Sequence, residues 1–118
     1  MPGTNPLLVL IVREAALRST LVARLAMRGA TVWTARAFDE KRPASARAPA
    51  VLITDEESVE QHPGGAAALS RDAQWCKVIV LTRGGAPASE DARLFYLARG
   101  GAAPALAGLL EDWAAQDA

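Results

Sequence analysis

The chain carries one cysteine, Cys76, and one histidine, His62. A lone thiol excludes an internal disulfide and a cysteine-rich metal site, and a lone imidazole excludes a metal site built on a histidine pair. Cys76 opens an apolar segment and reads as a small core hydrophobe rather than a reactive thiol. An excess of charge of either sign is also missing: 13 Lys and Arg balance 13 Asp and Glu, for a formal net charge of zero. The bases are mostly arginine and are dispersed along the chain. General affinity for nucleic acid or for an anionic membrane surface is therefore not expected. No apolar run approaches the ~20 residues that cross a bilayer. The run at residues 7–12 has no basic segment before it, so a signal peptide is not expected either and a cytoplasmic location is the default. Nucleotide-binding signatures are absent: no GxGxxG follows the first apolar run, and no GxxxxGK ending in Ser or Thr occurs. The glycine pairs that begin at Gly64, Gly84 and Gly100 lack that context, which argues against a small nucleotide-binding enzyme.

What is present suits one domain. The chain has 118 residues, of which 51% are hydrophobic and 22% charged, enough to build a single core. Residues 1–6 (MPGTNP) read as a flexible lead and residues 7–116 as the domain. Residues 7–12 are all Leu, Val or Ile, and continuous apolarity without alternation implies a strand covered on both faces. Leu17, Leu21 and Leu25 then recur at four-residue spacing, marking an amphipathic helix that Gly29 ends. Further strands are expected at 30–35, 51–54, 77–82 and 94–97. A weak Ala/Arg-rich helix interrupted by Pro43 is expected at 36–48, and a turn at 62–65 with about two helical turns after it. Ser89, Glu90 and Asp91 resemble a helix cap with room for one or two turns. Pro104 fits the first turn of a last helix whose apolar face is Leu106, Leu109, Leu110 and Trp113. Trp33 and Trp75 read as packing residues, and Trp33 as a contact surface if it lies on the open face of an edge strand.

Strands and helices alternate, which implies a parallel sheet with helices on both faces. Such sheets carry their sites at the carboxyl ends of the strands. The residues there are Arg13 and Glu14 after the first strand, Asp55 and Glu56 after the third, Thr82 and Arg83 after the fourth, and Arg99 after the fifth.

With these residues in these places, the chain resembles a two-component response-regulator receiver domain across residues 7–113. The stretches that carry the resemblance are LLVLIVREAALRSTLVARLAMRGATVWTA, APAVLITDE, KVIVLT and FYLAR. The resemblance implies an α/β flavodoxin-like (βα)5 sandwich with a five-stranded parallel sheet in order 2-1-3-4-5 and a shortened fourth helix. It places the phospho-acceptor at Asp55, the hydroxyl that ends strand four at Thr82, the switch aromatic at Tyr96 and the family's lysine at Arg99. It also implies a histidine kinase or an output domain as partner, and a protein-interaction face made by helix four, strand five and helix five. Exposed faces of the first and last helices leave room for a homodimer.

The departures fall on the chemistry. The acidic pair that the family places after strand one aligns with Val12 and Arg13, leaving only Glu14 acidic nearby. Gly100 stands where a proline would follow the lysine, and Glu56, Glu57, Ser58 and Val59 replace the segment after the acceptor. Phosphoryl transfer to a carboxylate brings anions together, and magnesium, bound by oxygen ligands, neutralises them. Arg13 puts a fixed cation where the metal would sit, and its guanidinium has the geometry to grip Asp55 in a bidentate pair. Two functions stay open. One is a non-enzymatic pseudo-receiver without a cofactor. The other is a phosphorylated receiver in which Glu14 or Glu56 supplies a magnesium ligand. Single residues have plainer readings as well. Asp55 can cap the segment after its strand, Thr82 can satisfy backbone groups, Tyr96 can be half-buried packing, and Glu56, Glu57 and Glu60 can form a solvated acidic loop.

Overall fold

A computed structural model describes residues 7–38, 50–85 and 87–117, with side chains as far as 113. The expected lead at 1–6 and most of the helix expected at 36–48 lie outside the described residues. The strands are β1 (Leu7–Ile11), β2 (Thr31–Thr34), β3 (Ala50–Asp55), β4 (Trp75–Thr82) and β5 (Leu94–Ala98). All pair in parallel, in the order β2-β1-β3-β4-β5. That is the flavodoxin-like arrangement expected from the sequence. The helices are α1 (Ala15–Met27), α2 (Glu56–Glu60), α3 (Gly65–Arg71) and α4 (Ala102–Asp117), the last entered through a 3-10 turn at Arg99–Gly101.

The unbroken apolar strands have a simple cause. Successive side chains point to opposite faces, and both faces are covered. Leu8, Leu10, Val51, Ile53, Ile79 and Leu81 face α1 and α4, where Leu21, Leu25 and Leu106 meet them. Val9, Ile11, Leu52, Val78 and Val80 face the other way, toward Leu69 of α3 and Trp75. β3 is buried along its whole length, so its last residue, Asp55, ends inside the protein with 0% exposure. Gly29 ends α1 as expected. Its φ is +84°, its N–H donates to Ala26 O at 2.9 Å, and the Ala30 N–H donates to Leu25 O at 3.1 Å. These are the paired bonds of a Schellman cap, whose left-handed residue favours glycine. Among the described residues no helix is long and apolar enough to cross a membrane.

Two expectations are corrected, at Cys76 and between β4 and β5. Cys76 is exposed, not core. β3 and β4 shift register between Ala50, which pairs with Trp75, and Val51, which pairs with Lys77, so Cys76 is the extra residue of a bulge and leaves the buried face. Trp33 is a packing residue, as expected, so the condition for a contact surface is not met. It is half-buried and packs onto the second core cluster beside Phe38. Between β4 and β5 the described residues contain no helical turn, so the shortening expected of the fourth helix goes as far as a plain loop. Its polar residues make local turns instead: Ser89 Oγ accepts the Asp91 N–H at 3.2 Å, and Asp91 Oδ1 accepts the Arg93 N–H at 2.8 Å.

Asp91 ties this loop to α3, because the Ser70 hydroxyl donates to Asp91 Oδ2 at 2.6 Å. That bond first, then the Arg93 N–H and the Arg93 charge, hold the Asp91 carboxyl below its ordinary value of 3.8. A lowered acid contributes stability above its unfolded value, and the contribution is lost as pH falls from there through the folded value. Ser70→Ala should therefore lose less stability than the native chain between about pH 5 and about pH 3, as read from urea midpoints. An equal loss in both would mean that the Ser70–Asp91 bond carries no such linkage.

Candidate functional site

The carboxyl ends of β1, β3, β4 and β5 meet around Asp55. The register sets Ile11 beside Thr54, and Asp55 beside Leu81, so Arg13 and Thr82 flank the acid from the two sides. Thr54, fully buried, donates its hydroxyl to Ile11 O at 2.7 Å and ties the β1 end to β3.

Each oxygen of Asp55 accepts one backbone N–H. Oδ1 accepts the Ser58 N–H at 2.9 Å, and Oδ2 accepts the Arg13 N–H at 2.7 Å. Asp55 has extended backbone angles (φ −115°, ψ 167°) and is the N-cap of α2. Glu56 and Glu57 fill the first turn of that helix, where negative charge suits the helix dipole. The plainer reading of Asp55 as a cap is therefore realised. The pairing expected between the Arg13 guanidinium and Asp55 is not formed. Arg13 offers Asp55 its main-chain N–H, and its exposed side chain turns away to donate to Gln61 Oε1. An N–H already at the carboxylate leaves no need for the side chain to fold back into a buried site.

The cation on the other side is Arg99. Its Nη2 lies 2.6 and 2.7 Å from the two Glu57 oxygens, and its Nη1 lies 3.5 Å from Glu14 Oε2. The Arg99 side chain is 18% exposed, Glu57 26%. The hydrogen bond to Glu57 raises the guanidinium pKa above its ordinary value. The charges of Glu57, Asp55 and Glu14 add to this, and burial opposes it. Arg99 Nε is buried with no hydrogen-bond partner. Arg83 closes the rim: its N–H donates to Glu56 Oε1 at 2.8 Å, and its guanidinium lies 3.3 Å from both Glu57 Oε1 and Glu60 Oε1. The acidic run after Asp55 is thus a helix turn engaged by two arginines rather than a solvated loop.

Thr82 is buried, and its hydroxyl donates to Gly84 O at 3.1 Å, with Gly85 O and Leu97 O at 3.4 Å. It satisfies the backbone at the start of the loop. Tyr96 is half-buried against the second core cluster. Sequence reasoning missed Gln61 and Ser58 and undervalued Glu57. A five-residue helix with no apolar repeat leaves little signal beyond the cap spacing of Asp55 and Ser58.

Comparison of the chain with family models, curated proteins and solved structures gave no match.

Magnesium, the ion that the receiver resemblance calls for, needs near-octahedral oxygen ligands. The residues present do not fit it. Asp55 is capped by two N–H groups, Glu14 and Glu57 are paired with Arg99, and Glu56 is held by Arg83. Among the described residues no group of three or more His, Cys, Asp or Glu is arranged to hold a metal ion. Arg99 and Arg83 instead supply the positive charge that balances the strand-end carboxylates.

Proposed function

We propose that the chain is a receiver-like signalling module of a two-component-type system that works by protein interaction, without phosphorylation and without enzymatic chemistry of its own. The observation that carries this reading is the capping of both Asp55 oxygens by the Arg13 and Ser58 N–H groups. A phospho-acceptor must present a free oxygen to the incoming phosphorus, in line with its leaving group and beside a metal. Asp55 instead holds β1 and α2 together. The Arg99–Glu57 pair keeps the pocket in one charge state, where phosphorylation would switch it.

In this reading the output face is the one that receivers use, formed here by the loop between β4 and β5, by β5 and by α4. Its partner is a histidine kinase, an output domain or a second copy of the chain, in the cytoplasm. The loss of the fourth helix supports a partner different from that of an ordinary receiver, because that helix would supply a third of the face.

Incubation with acetyl phosphate and magnesium, followed by intact-mass measurement, tests the reading. The expected result is an unmodified chain. A phosphorylated species that Asp55→Asn abolishes would overturn the reading in favour of a phospho-receiver with a rearranged metal site at Glu14 or Glu56.

A further inference from the structure

On the β4 and β5 side of the sheet end, carboxylates and arginines neutralise one another. On the β1 and β2 side lies a cleft of about 350 Å³, beside the point where the strand order reverses. This volume lies within the range of small-ligand sites, ~300–1,000 Å³, and open parallel sheets bind ligands at such a point. Its lining includes Arg13 from the end of β1, Phe38 from the segment after β2, and Ser58, Gln61 and His62 from α2 and the turn that follows it. Arg36 also lines the cleft, but it has an interaction of its own and is assigned no role.

Ser58 is the polar group in this lining that lacks a partner. It is 6% exposed, its N–H caps Asp55, and its hydroxyl hydrogen-bonds to no described residue. A hydroxyl buried to that extent needs water or a ligand. Gln61 lies three residues further on, so the helix brings the two side chains to one face. Gln61 Oε1 accepts from the Arg13 guanidinium, which orients the amide and leaves its NH2 group to donate. Arg13 forms no ion pair with any described residue, so its charge is not cancelled locally, unlike that of Arg83 or Arg99. Hydroxyl, amide and guanidinium thus supply three neighbouring donors and a single positive charge. The rest of the lining used here is aromatic: the Phe38 and His62 rings meet edge to face at 5.0 Å.

We infer that this cleft binds a small aromatic carboxylic acid as its monoanion. The carboxylate accepts from the Arg13 guanidinium, the Gln61 amide and the Ser58 hydroxyl, and the ring lies against Phe38 and His62. One guanidinium matches one carboxylate both in charge and in the spacing of its donor fork. A ligand ring gains edge or offset contacts from an aromatic pair. The inference does not depend on whether Asp55 accepts a phosphoryl group, because Asp55 does not line the cleft.

The test is titration of the full chain with benzoate and with indole-3-acetate, followed by amide NMR. Benzamide and indole-3-acetamide probe the ring without the charge, and acetate probes the charge without the ring. The expected result is saturable binding of at least one aromatic acid, with shifts centred on Arg13, Phe38, Ser58 and His62 and on the Gln61 side-chain NH2. The matching amide and acetate should each bind at least about tenfold more weakly, and Arg13→Gln should weaken the acid about tenfold. Ser58→Ala should weaken it about fivefold, as loss of one hydrogen bond to a charged group. Both variants keep the main-chain N–H groups that cap Asp55, so the strand end stays in place. No saturable binding of either acid, amides that bind as tightly as the acids, or binding unchanged in either variant would overturn the inference.

Discussion

Replacing Asp55 with Ala is expected to cost about 3 kcal/mol of folding free energy, from about 1 kcal/mol for a lost helix cap and ~1–3 kcal/mol for a buried N–H left unpaired. The helix cap is the Ser58 N–H, and the unpaired group is the Arg13 N–H. Neither finds an obvious replacement, because Asp55 is fully buried and Thr54 already spends its hydroxyl on Ile11. The loss should appear as a lower urea midpoint with an unchanged slope. Asp55→Asn should cost less, since one amide oxygen can still accept one of the two N–H groups, while the amide NH2 opposes the other. The comparison matters for function. A carboxylate held ready for chemistry among other acids is commonly a stability liability, so its removal is neutral or stabilising. A change of less than about 0.5 kcal/mol in Asp55→Ala would therefore contradict the structural role assigned to this residue.

Arg99→Met is expected to cost about 2 kcal/mol, because it leaves the half-buried Glu57 carboxylate with only the more exposed Arg83 beside it. Glu57 would lose both close contacts at 2.6 and 2.7 Å, and Glu14 and Asp55 would lose the cation that balances them. Removing both charges in Arg99→Met with Glu57→Leu should recover most of the loss, since a pair is cheaper to delete whole than to break. Arg99→Lys should recover only part of it, because a single ammonium cannot reach Glu57 and Glu14 together as Nη2 and Nη1 do. A raised basic group stabilises at every pH below its unfolded value, and the contribution is lost only as pH rises through the still higher folded value. For Arg99 that window lies above the ordinary arginine value, so the difference between native and Arg99→Met chains should stay constant across the neutral range. Additive single-mutant costs in the double mutant would show that the two residues are not coupled.

The parts of the fold that were legible in the sequence share one cause. Residues 8–11, 50–55 and 78–82 are buried on both faces, so their apolarity is continuous and strand-like. Gly29 was legible because few other residues tolerate the backbone angle that its cap requires. The placing of Asp55, Thr82 and Arg99 at one end of the sheet followed from strand order alone. What each side chain does there did not. Nothing in the sequence distinguishes an Arg13 that pairs through its guanidinium from one that pairs through its main-chain N–H. The short helix α2 has no room for an apolar repeat, so Glu56 and Glu57 looked like loop. Cys76 looked buried because a single bulged residue inverts the alternation without changing composition. Ser89, Glu90 and Asp91 carry the residue types of a helix cap, but these side chains serve tight turns equally well. Here Asp91 is spent on Ser70 and the Arg93 N–H.

The central claim is that Asp55 is a structural acceptor sealed by Arg13 and Ser58 rather than a phosphorylation site. Amide NMR of the folded chain in saturating magnesium, with and without beryllofluoride as a phosphoryl mimic, tests it most directly. The account predicts no saturable shift at Arg13, Asp55, Ser58, Thr82, Tyr96 or Arg99. Saturable shifts centred on Asp55, Thr82 and Tyr96, present with beryllofluoride and lost in Asp55→Asn, would contradict it.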